Sequence, residues 1–589
     1  MQIWLYYTGE ILIFAGLAMS LNLLLGYAGQ VSVAHAAFAA VGGYTMAYLV
    51  SVHHWNFVAA IVLGAVLAFV LGVVMSLPAM KLSVEYLILL TLAVSYVILG
   101  VFRAFPVLGG SSGLTSIPHL TVFGVHMRRP GDWVIPTLVL ALVIGAACWR
   151  IGESAFGRVL KGLREDPQAT QALGKNVFGY KVAVFGLTSG MAGLCGGMYS
   201  GWLGLATPSV YGFNFSLTIF AMVIFGGMAN LTGSVLGALI VGLLEPVLRR
   251  VIHLEASRAA LVQLIVYGVA LTLLMRLRAQ GVLPEGRSLW SLVRRKKADA
   301  RVEMRDAEWV PDVAVSRAGG VRLAQSQDER DLRWRNAPIV LETEGVTKRF
   351  GGITAAEDLH IELRKGTITA LVGPNGAGKT TVFNLLTGFI PPDAGSVKLN
   401  GVELVGLNPD RVARMGLVRS FQDVRLFGRI TVLQNVLLAV QHQYGENIGH
   451  LFLRPGRVRA RDKEVRDKAM ESLTFVGMGA FADVPASALS YGQSKLVSLA
   501  RVLATDAAVL LLDEPASGID TKWVDTMLDL VEAVRDQGRT VCIVEHNLHV
   551  VGQLADHTYF MELGRITAEG TIDELTNAPR LAEAYFGTA

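Results

Sequence analysis

The chain has 589 residues, a mean hydropathy of +0.47 and only 17% charged residues, which excludes a wholly soluble or a disordered protein and allows two or three domains. The net charge of +5 is mild, and its basic excess lies in polar segments beside apolar runs, where it suits anionic lipid headgroups rather than nucleic acid. No RNA- or DNA-binding motif is present, so nucleic acid is not an expected partner.

The apolar residues are unevenly spread. Up to about Leu277 the chain is dominated by Leu, Val, Ile, Ala, Gly and Phe, and after that it reads as an ordinary soluble chain. Three cysteines, Cys148, Cys195 and Cys542, make no disulfide framework and are expected to be small buried hydrophobes. The opening MQIWLYYTGEILIFAGLAMSLNLLLGYAG lacks a basic n-region and a small-residue cleavage site, and reads as a retained first membrane helix.

A spanning helix needs about 20 mostly apolar residues. The candidates are Ile3 to Leu25, Val31 to Val50, Phe57 to Leu77, Tyr86 to Phe105, Trp133 to Trp149, Lys181 to Leu205, Phe213 to Phe225, Val235 to Leu248 and Leu261 to Met275. Some of these are short for a crossing. GYAGQVSVAHAAF and FGGMANLTGSVLG interrupt apolar runs. Such breaks must be buried in protein or face a watery path, because lipid satisfies no freed backbone group. A translocation route and close packing through small residues both stay open. Glu85 and Glu245 lie near predicted helix ends and are not assigned to substrate.

Between two apolar runs lies the polar stretch REDPQATQALGKN, Arg164 to Asn176. Its surroundings carry Arg150, Arg158, Lys161, Arg164, Lys175 and Lys181, which places the segment in the cytoplasm by the positive-inside rule. The basic tail after Met275 is also read as cytoplasmic, four predicted crossings away. Arg249 to Arg258 then faces outward despite three arginines, so either a helix count fails or this loop breaks the rule. Residues 278–337 mix both charge signs with few apolar residues and read as a charged cytoplasmic linker. This gives a membrane domain over 1–277 and a soluble domain over 338–589.

The soluble domain states its chemistry. TITALVGPNGAGKTTVFNLLTG reads as strand, glycine loop and helix. Gly373, Pro374, Asn375, Gly376, Ala377, Gly378, Lys379 and Thr380, followed by Thr381, fit a phosphate-binding loop. Its N–H groups curl round phosphate oxygens and the helix presents its positive end. Lys379 adds a point charge on the β/γ-phosphates, and the Thr380 hydroxyl reaches Mg²⁺. AAVLLLDEPASGID places two acids at the C-terminal edge of a buried strand. Asp513 is the candidate Mg²⁺ residue, and Glu514 the candidate base that orients and deprotonates water.

Between these motifs stands LSYGQ, Leu489 to Gln493, and here the domain resembles the ATPase domain of ABC transporters. LSYGQ is similar to the signature usually written LSGGQ, with Tyr491 in place of the first glycine; the QSKLVSLARVLA that follows also departs from the usual second Gln or basic pair. The resemblance implies that Phe350 stacks on adenine. It implies that Gln422 senses Mg²⁺ and the membrane domain, that Asp520 belongs to the D-loop, and that His546 contacts the γ-phosphate. Two such domains would pair head-to-tail, so that Ser490, Gly492 and Gln493 bind ATP held by a partner's loop. ATP and Mg²⁺ are the implied cofactors.

FGRVLKGLREDPQATQALGKNVFGYKVAVFGLTSGMAGLCGGMYS looks like the cytoplasmic coupling loop of ABC importer permeases, and more narrowly of branched-chain amino-acid importers. GYAGQVSVAHAAFAAVGGYTMAYL, GGSSGLTSIP and FAMVIFGGMANLTGSVLGALIVGLLEPVLR resemble the same subfamily, as does RMGLVRSFQDVRLFGRITVLQNVLLAV in the ATPase half. The resemblance implies a multidomain chain, a polytopic all-α membrane domain followed by an α/β P-loop ATPase, fused permease first. REDPQATQALGKN would be a short helix in a groove of the ATPase near Gln422, with Glu165 and Asp166 as coupling residues. The implied partners are a second permease and a second ATPase subunit, or a second copy of this chain, an external substrate-binding protein, the lipid of the inner membrane and a small-molecule substrate. Other cargoes (urea, amides, aromatic or hydrophobic carboxylates) stay open. An exporter half-transporter fits the short glycine-rich segments less well, and an intact Glu514 argues for turnover over a gated channel.

Overall fold

The computed structural model describes residues 2–277, 281–286 and 327–576, apart from Lys81, Ser116, His119, Leu120, Phe123, Gly124, Arg128, Val251 and Leu254. Most of the stretch read as a linker lies outside the described residues. The chain forms two compact units. The first comprises Met1–Arg164 with Val177–Arg301, and the second Glu165–Asn176 with Val302–Ala589.

The first unit is helical. Its elements are α1 (Gln2–Asn22), α2 (His35–His53), α3 (Phe57–Ala79), α4 (Val84–Ala104), α5 (Val134–Gly152), α6 (Ala155–Glu165, whose last residue falls in the second unit), α8 (Val177–Leu203), α9 (Phe213–Gly226), α10 (Leu231–Arg250) and α11 (Ala256–Leu277); α7 (Pro167–Ala172) belongs to the second unit. Each of the nine expected apolar stretches thus contains a helix. Among the described residues seven helices are long and apolar enough to cross a membrane by length and composition. Phe213–Gly226 is one of the shorter apolar ones, in keeping with its fourteen residues.

The two interrupted segments have a structural cause. After α1 the helix loosens into a π-turn over Leu23–Tyr27, and α2 begins only at His35 rather than at the expected Val31. Asn22, fully buried, satisfies the second break: the two hydrogens of its amide nitrogen are shared among Gly227 O (3.1 Å), Asn230 O (3.0 Å) and Ser234 Oγ (2.7 Å), and its carbonyl accepts from Ala229 N (2.8 Å). A side chain thereby replaces the water that freed backbone groups need. Between α2 and α8 the glycines are contact residues. A Cβ on Gly42 would meet Gly193 O at 2.0 Å, and one on Gly196 would meet Ala39 O at 1.9 Å, so α2 and α8 approach backbone to backbone.

The second unit is built on a six-stranded sheet in the order Leu417–Arg419, Val509–Asp513, Thr540–Val544, Ile368–Val372, His557–Glu562, Arg565–Gly570. All neighbours are parallel except the last pair. The three strands Val509–Asp513, Thr540–Val544 and Ile368–Val372 are buried at every residue, as expected where both faces are covered. Side chains alternate between two cores: Ile368, Ala370, Val372, Leu510 and Leu512 enter one, and Leu371, Val509 and Leu511 the other. A second, antiparallel sheet flanks this one, running Val402–Glu403, Ala394–Leu399, Ile339–Phe350, Ile353–Leu359. Residues Gln327–Asn336, inside the stretch read as linker, form a helix on this unit. Arg330 donates to Gly552 O (2.9 Å), Arg333 pairs with Asp556 (3.1 Å) and the Trp334 ring stacks on His557 at 3.8 Å. Cys148, Cys195 and Cys542 are free and buried, as expected.

Candidate active site

The parallel strand Ile368–Val372 delivers the chain to the loop Gly373–Gly378, and helix Lys379–Leu386 follows at once. Two glycines are obligatory there. Gly373 and Gly378 have φ of +153° and +108°, and a Cβ on either would lie 2.1 Å from Met561 O or 2.2 Å from Ala355 O. Pro374, Asn375, Gly376 and Thr380 are exposed, Ala377 is buried and Thr381 is half-buried. Lys379 Nζ donates to Gly373 O (2.6 Å) and Pro374 O (3.0 Å). Burial lowers its pKa, and Glu514 and Asp513 oppose that shift. Lys379→Ala is expected to weaken ATP binding roughly 10- to 150-fold, the loss of one hydrogen bond to a charged group. Binding of a fluorescent ATP analogue to the full chain measures it, and an unchanged Kd would contradict the assignment.

Asp513 closes the strand Val509–Asp513 and is 2% exposed. Among the described residues its Oδ2 has no hydrogen-bond partner, and the Arg419 guanidinium stands 3.8 Å away. Burial raises its pKa, with Arg419 opposing. Glu514 follows with φ +47°, a backbone state that a residue with a Cβ seldom adopts. Three groups converge on it. Gln422 Nε2 donates to its Oε2 (3.1 Å), His546 Nδ1 lies 3.8 Å from its Oε1, and Lys495 Nζ donates to its carbonyl (2.8 Å) and to Gln422 O (3.3 Å). Next door, buried Glu545 accepts from Ala516 N (3.1 Å) and fixes the turn beyond Glu514.

Gln422, Glu514 and His546, far apart in sequence, are thus brought together. Sequence reasoning missed Lys495; its signal was a basic residue two positions after Gln493, at the head of an amphipathic helix. Lys495→Met is expected to lower ATP turnover about tenfold with little change in KM, because it loosens the backbone on which Glu514 and Gln422 ride. A steady-state ATPase assay checks this, and an unchanged kcat would remove the positioning role.

Ser490 caps helix Tyr491–Leu503 in a capping box: its Oγ accepts from Gln493 N (3.4 Å) and Gln493 Oε1 accepts from Ser490 N (2.9 Å). Gln493 is buried and Tyr491 exposed, with Lys495 Nζ 5.6 Å from the Tyr491 ring centroid. Gly492 faces Trp523 at ordinary contact distance. Phe350 is exposed beneath Lys348, and Asp520 is exposed at the start of helix Thr521–Asp536. Among the described residues, Phe350, Ser490, Gly492 and Asp520 make no hydrogen bond to the Glu514 group.

Residues 165–176 fold with the second unit. Asp166 caps α7 by accepting from Ala169 N (2.9 Å), and Pro167 occupies the first helical position, a start signal legible in DPQAT. Ala169 and Leu173 enter the core that holds Phe427 and Leu437. Arg425 donates to Asp166 (3.3 Å) and Gln168 (2.9 Å), and Arg429 N donates to Glu165 (3.3 Å). Lys175, its side chain 1% exposed, reaches Glu446 (2.6 Å) and Val440 O (2.9 Å), and Gln441 donates to Leu173 O (2.6 Å). The groove is therefore lined by Arg425, Arg429, Val440, Gln441 and Glu446. Arg425, three residues after Gln422 in the same loop, makes the contact, and Gln422 itself turns to Glu514.

The phosphate loop, the strand-edge acids and the capped signature helix on one parallel sheet define a P-loop ATPase of the cassette type, joined to a polytopic helical unit. Residues 3–275 match the family described as the permease component of the branched-chain amino acid transport system, and residues 356–517 match the ABC transporter family. The second half is 37% identical over 252 residues to the high-affinity branched-chain amino acid transport ATP-binding protein BraF of Pseudomonas aeruginosa, covering 42% of this chain and 98% of that one. It is 38% identical over 251 residues to LivG of Salmonella typhimurium, with the same coverage. A nucleotide-free ATP-binding cassette from an ABC transporter is 32% identical, covering 43% of this chain and 100% of that chain, with a TM-score of 0.38. The chain belongs to the ABC transporter family and fuses a permease of the branched-chain amino acid transport type to an ATP-hydrolysing cassette.

Proposed function

We propose that this chain is the permease–ATPase subunit of an importer that uses ATP to carry branched-chain or chemically related amino acids across the inner membrane, with its ATPase in the cytoplasm. The observation that carries the coupling is one loop. Gln422 holds Glu514 and Arg425 holds Asp166, so any shift of the loop at the hydrolysis site is passed on three residues later to the segment continuous with α6 and α8. The permease match and the names of the relatives support the cargo.

At the site, Lys379 and the loop N–H groups hold the phosphates, Phe350 stacks on adenine, His546 contacts the γ-phosphate, and Glu514 orients and deprotonates water while Gln422 holds its carboxylate. Thr380, Gln422 and Asp513 supply oxygen donors alone, and Oδ2 of Asp513, which has no hydrogen-bond donor among the described residues, suits a hard divalent cation held with substrate phosphates. These residues fit Mg²⁺, which when bound neutralises phosphate charge. Ser490 and Gly492 of one cassette complete the site of a second, and Asp520 lies at that junction. A second permease and ATPase subunit, or a second copy of this chain, and an external binding protein complete the assembly.

The test is uptake of labelled leucine into cells expressing this chain with its neighbouring genes, beside the Glu514→Gln variant. Uptake that vanishes in the variant supports the reading. Equal, low uptake in both moves the cargo to urea, amides or aromatic carboxylates and calls for that panel.

A further inference from the structure

One corner of the second unit sets exposed apolar side chains beside a run of arginines. Helix Ile448–Leu453 turns Leu451 inward and leaves Phe452 and Leu453 outward, 46% and 83% exposed. Pro455 then opens the long helix Pro455–Phe475, so the apolar tip is held between two helices rather than on a slack loop. Arg454, Arg457, Arg459 and Arg461 follow with no acidic residue among positions 454–461. Arg454, Arg457 and Arg459 are exposed, and Arg461 pairs with Glu464 (2.8 Å). Tyr444, also exposed, sets its ring edge-on to His450 at 5.7 Å and shares an open depression with Arg457 and Arg461.

A lone exposed leucine needs no explanation. An apolar tip beside an aromatic and a run of arginines is the chemistry of an interfacial anchor, whose apolar part enters the acyl boundary while its cations meet headgroup phosphates. Position supports the same reading. Lys175 is fastened to Val440 and Glu446, in the stretch that carries Tyr444, and two residues later the chain enters the apolar helix Val177–Leu203.

We propose that Tyr444, Phe452, Leu453, Arg454, Arg457 and Arg459 dock on the anionic surface of the bilayer that holds the first unit. The contact gives the cassette a foothold on lipid beside its coupling segment. The proposal rests on the membrane reading of the first unit and is independent of the transported substrate.

The experiment uses the full chain in proteoliposomes. The native cysteines are buried, so Leu453→Cys accepts an environment-sensitive fluorophore selectively, and Val402→Cys, on an exposed hairpin of the same unit, is the control. The expected result is a blue-shifted emission at position 453 that nitroxide-bearing lipids quench, stronger with phosphatidylglycerol than with phosphatidylcholine alone, and neither effect at position 402. Arg454→Gln, Arg457→Gln and Arg459→Gln together should remove the phosphatidylglycerol dependence. Three results overturn the proposal: emission at 453 matching that at 402, a blue shift that lipid nitroxides leave unquenched (a protein contact), or quenching that is the same in both lipids and survives the arginine replacements.

Discussion

Replacing Glu514 with glutamine is expected to lower ATP turnover about 10²- to 10⁴-fold, the usual worth of a general base, while ATP binding stays within about threefold of the native chain because the phosphate loop is untouched. The geometry favours this carboxylate over its neighbours. Asp513 is buried and faces Arg419, and Glu545 is buried and bound to a backbone N–H; neither is placed to receive a proton from attacking water. Glu514 has a partly accessible carboxylate, with Gln422 on one oxygen and His546 near the other. The substituted amide keeps size and shape, so the site should still assemble. Steady-state hydrolysis and nucleotide binding on the same reconstituted chain give both numbers, and normal hydrolysis would remove Glu514 as the base.

The second large effect is expected at Lys175. Its ammonium is buried against Glu446 and Val440 O, and removing one partner of a buried ion pair costs about 3 kcal/mol or more. Lys175→Met should therefore weaken docking of residues 165–176 on the cassette about 100-fold. Uptake should collapse while ATP hydrolysis continues, since no atom of the hydrolysis site is altered. Replacing Glu165 and Asp166 should uncouple less completely. The Asp166–Arg425 pair is partly exposed and worth about 0.2–1 kcal/mol, and the lost helix cap adds about 1 kcal/mol. Parallel uptake and ATPase assays separate the two functions. Equal loss of both in Lys175→Met would mean that the segment supports folding and not transmission.

The organisation of this chain was legible because its signals are local. Apolar runs announce membrane helices, since lipid accepts little else. GPNGAGKT announces a phosphate loop, since its φ values demand glycine, and VLLLDE announces a covered parallel strand that ends in acids. DPQAT likewise carried its own helix start. What the tertiary structure decided depends on residues distant in sequence. Asn22 as the partner of the broken segment at 227–234 could not be read from either stretch, because a buried amide is satisfied by whatever backbone folding brings to it. Lys495 has nothing beside it in sequence that ties it to the acids, and the fold alone brings it to the Glu514 carbonyl. Lys175 looked like one of six basic residues in a cytoplasmic loop, yet it is the buried one, since a charge pairs with what packing places nearby. The polar segment between apolar helices folds with the ATPase for the same reason: its composition fixes only that it leaves lipid, and the groove of Arg425, Arg429 and Glu446 fixes where it goes.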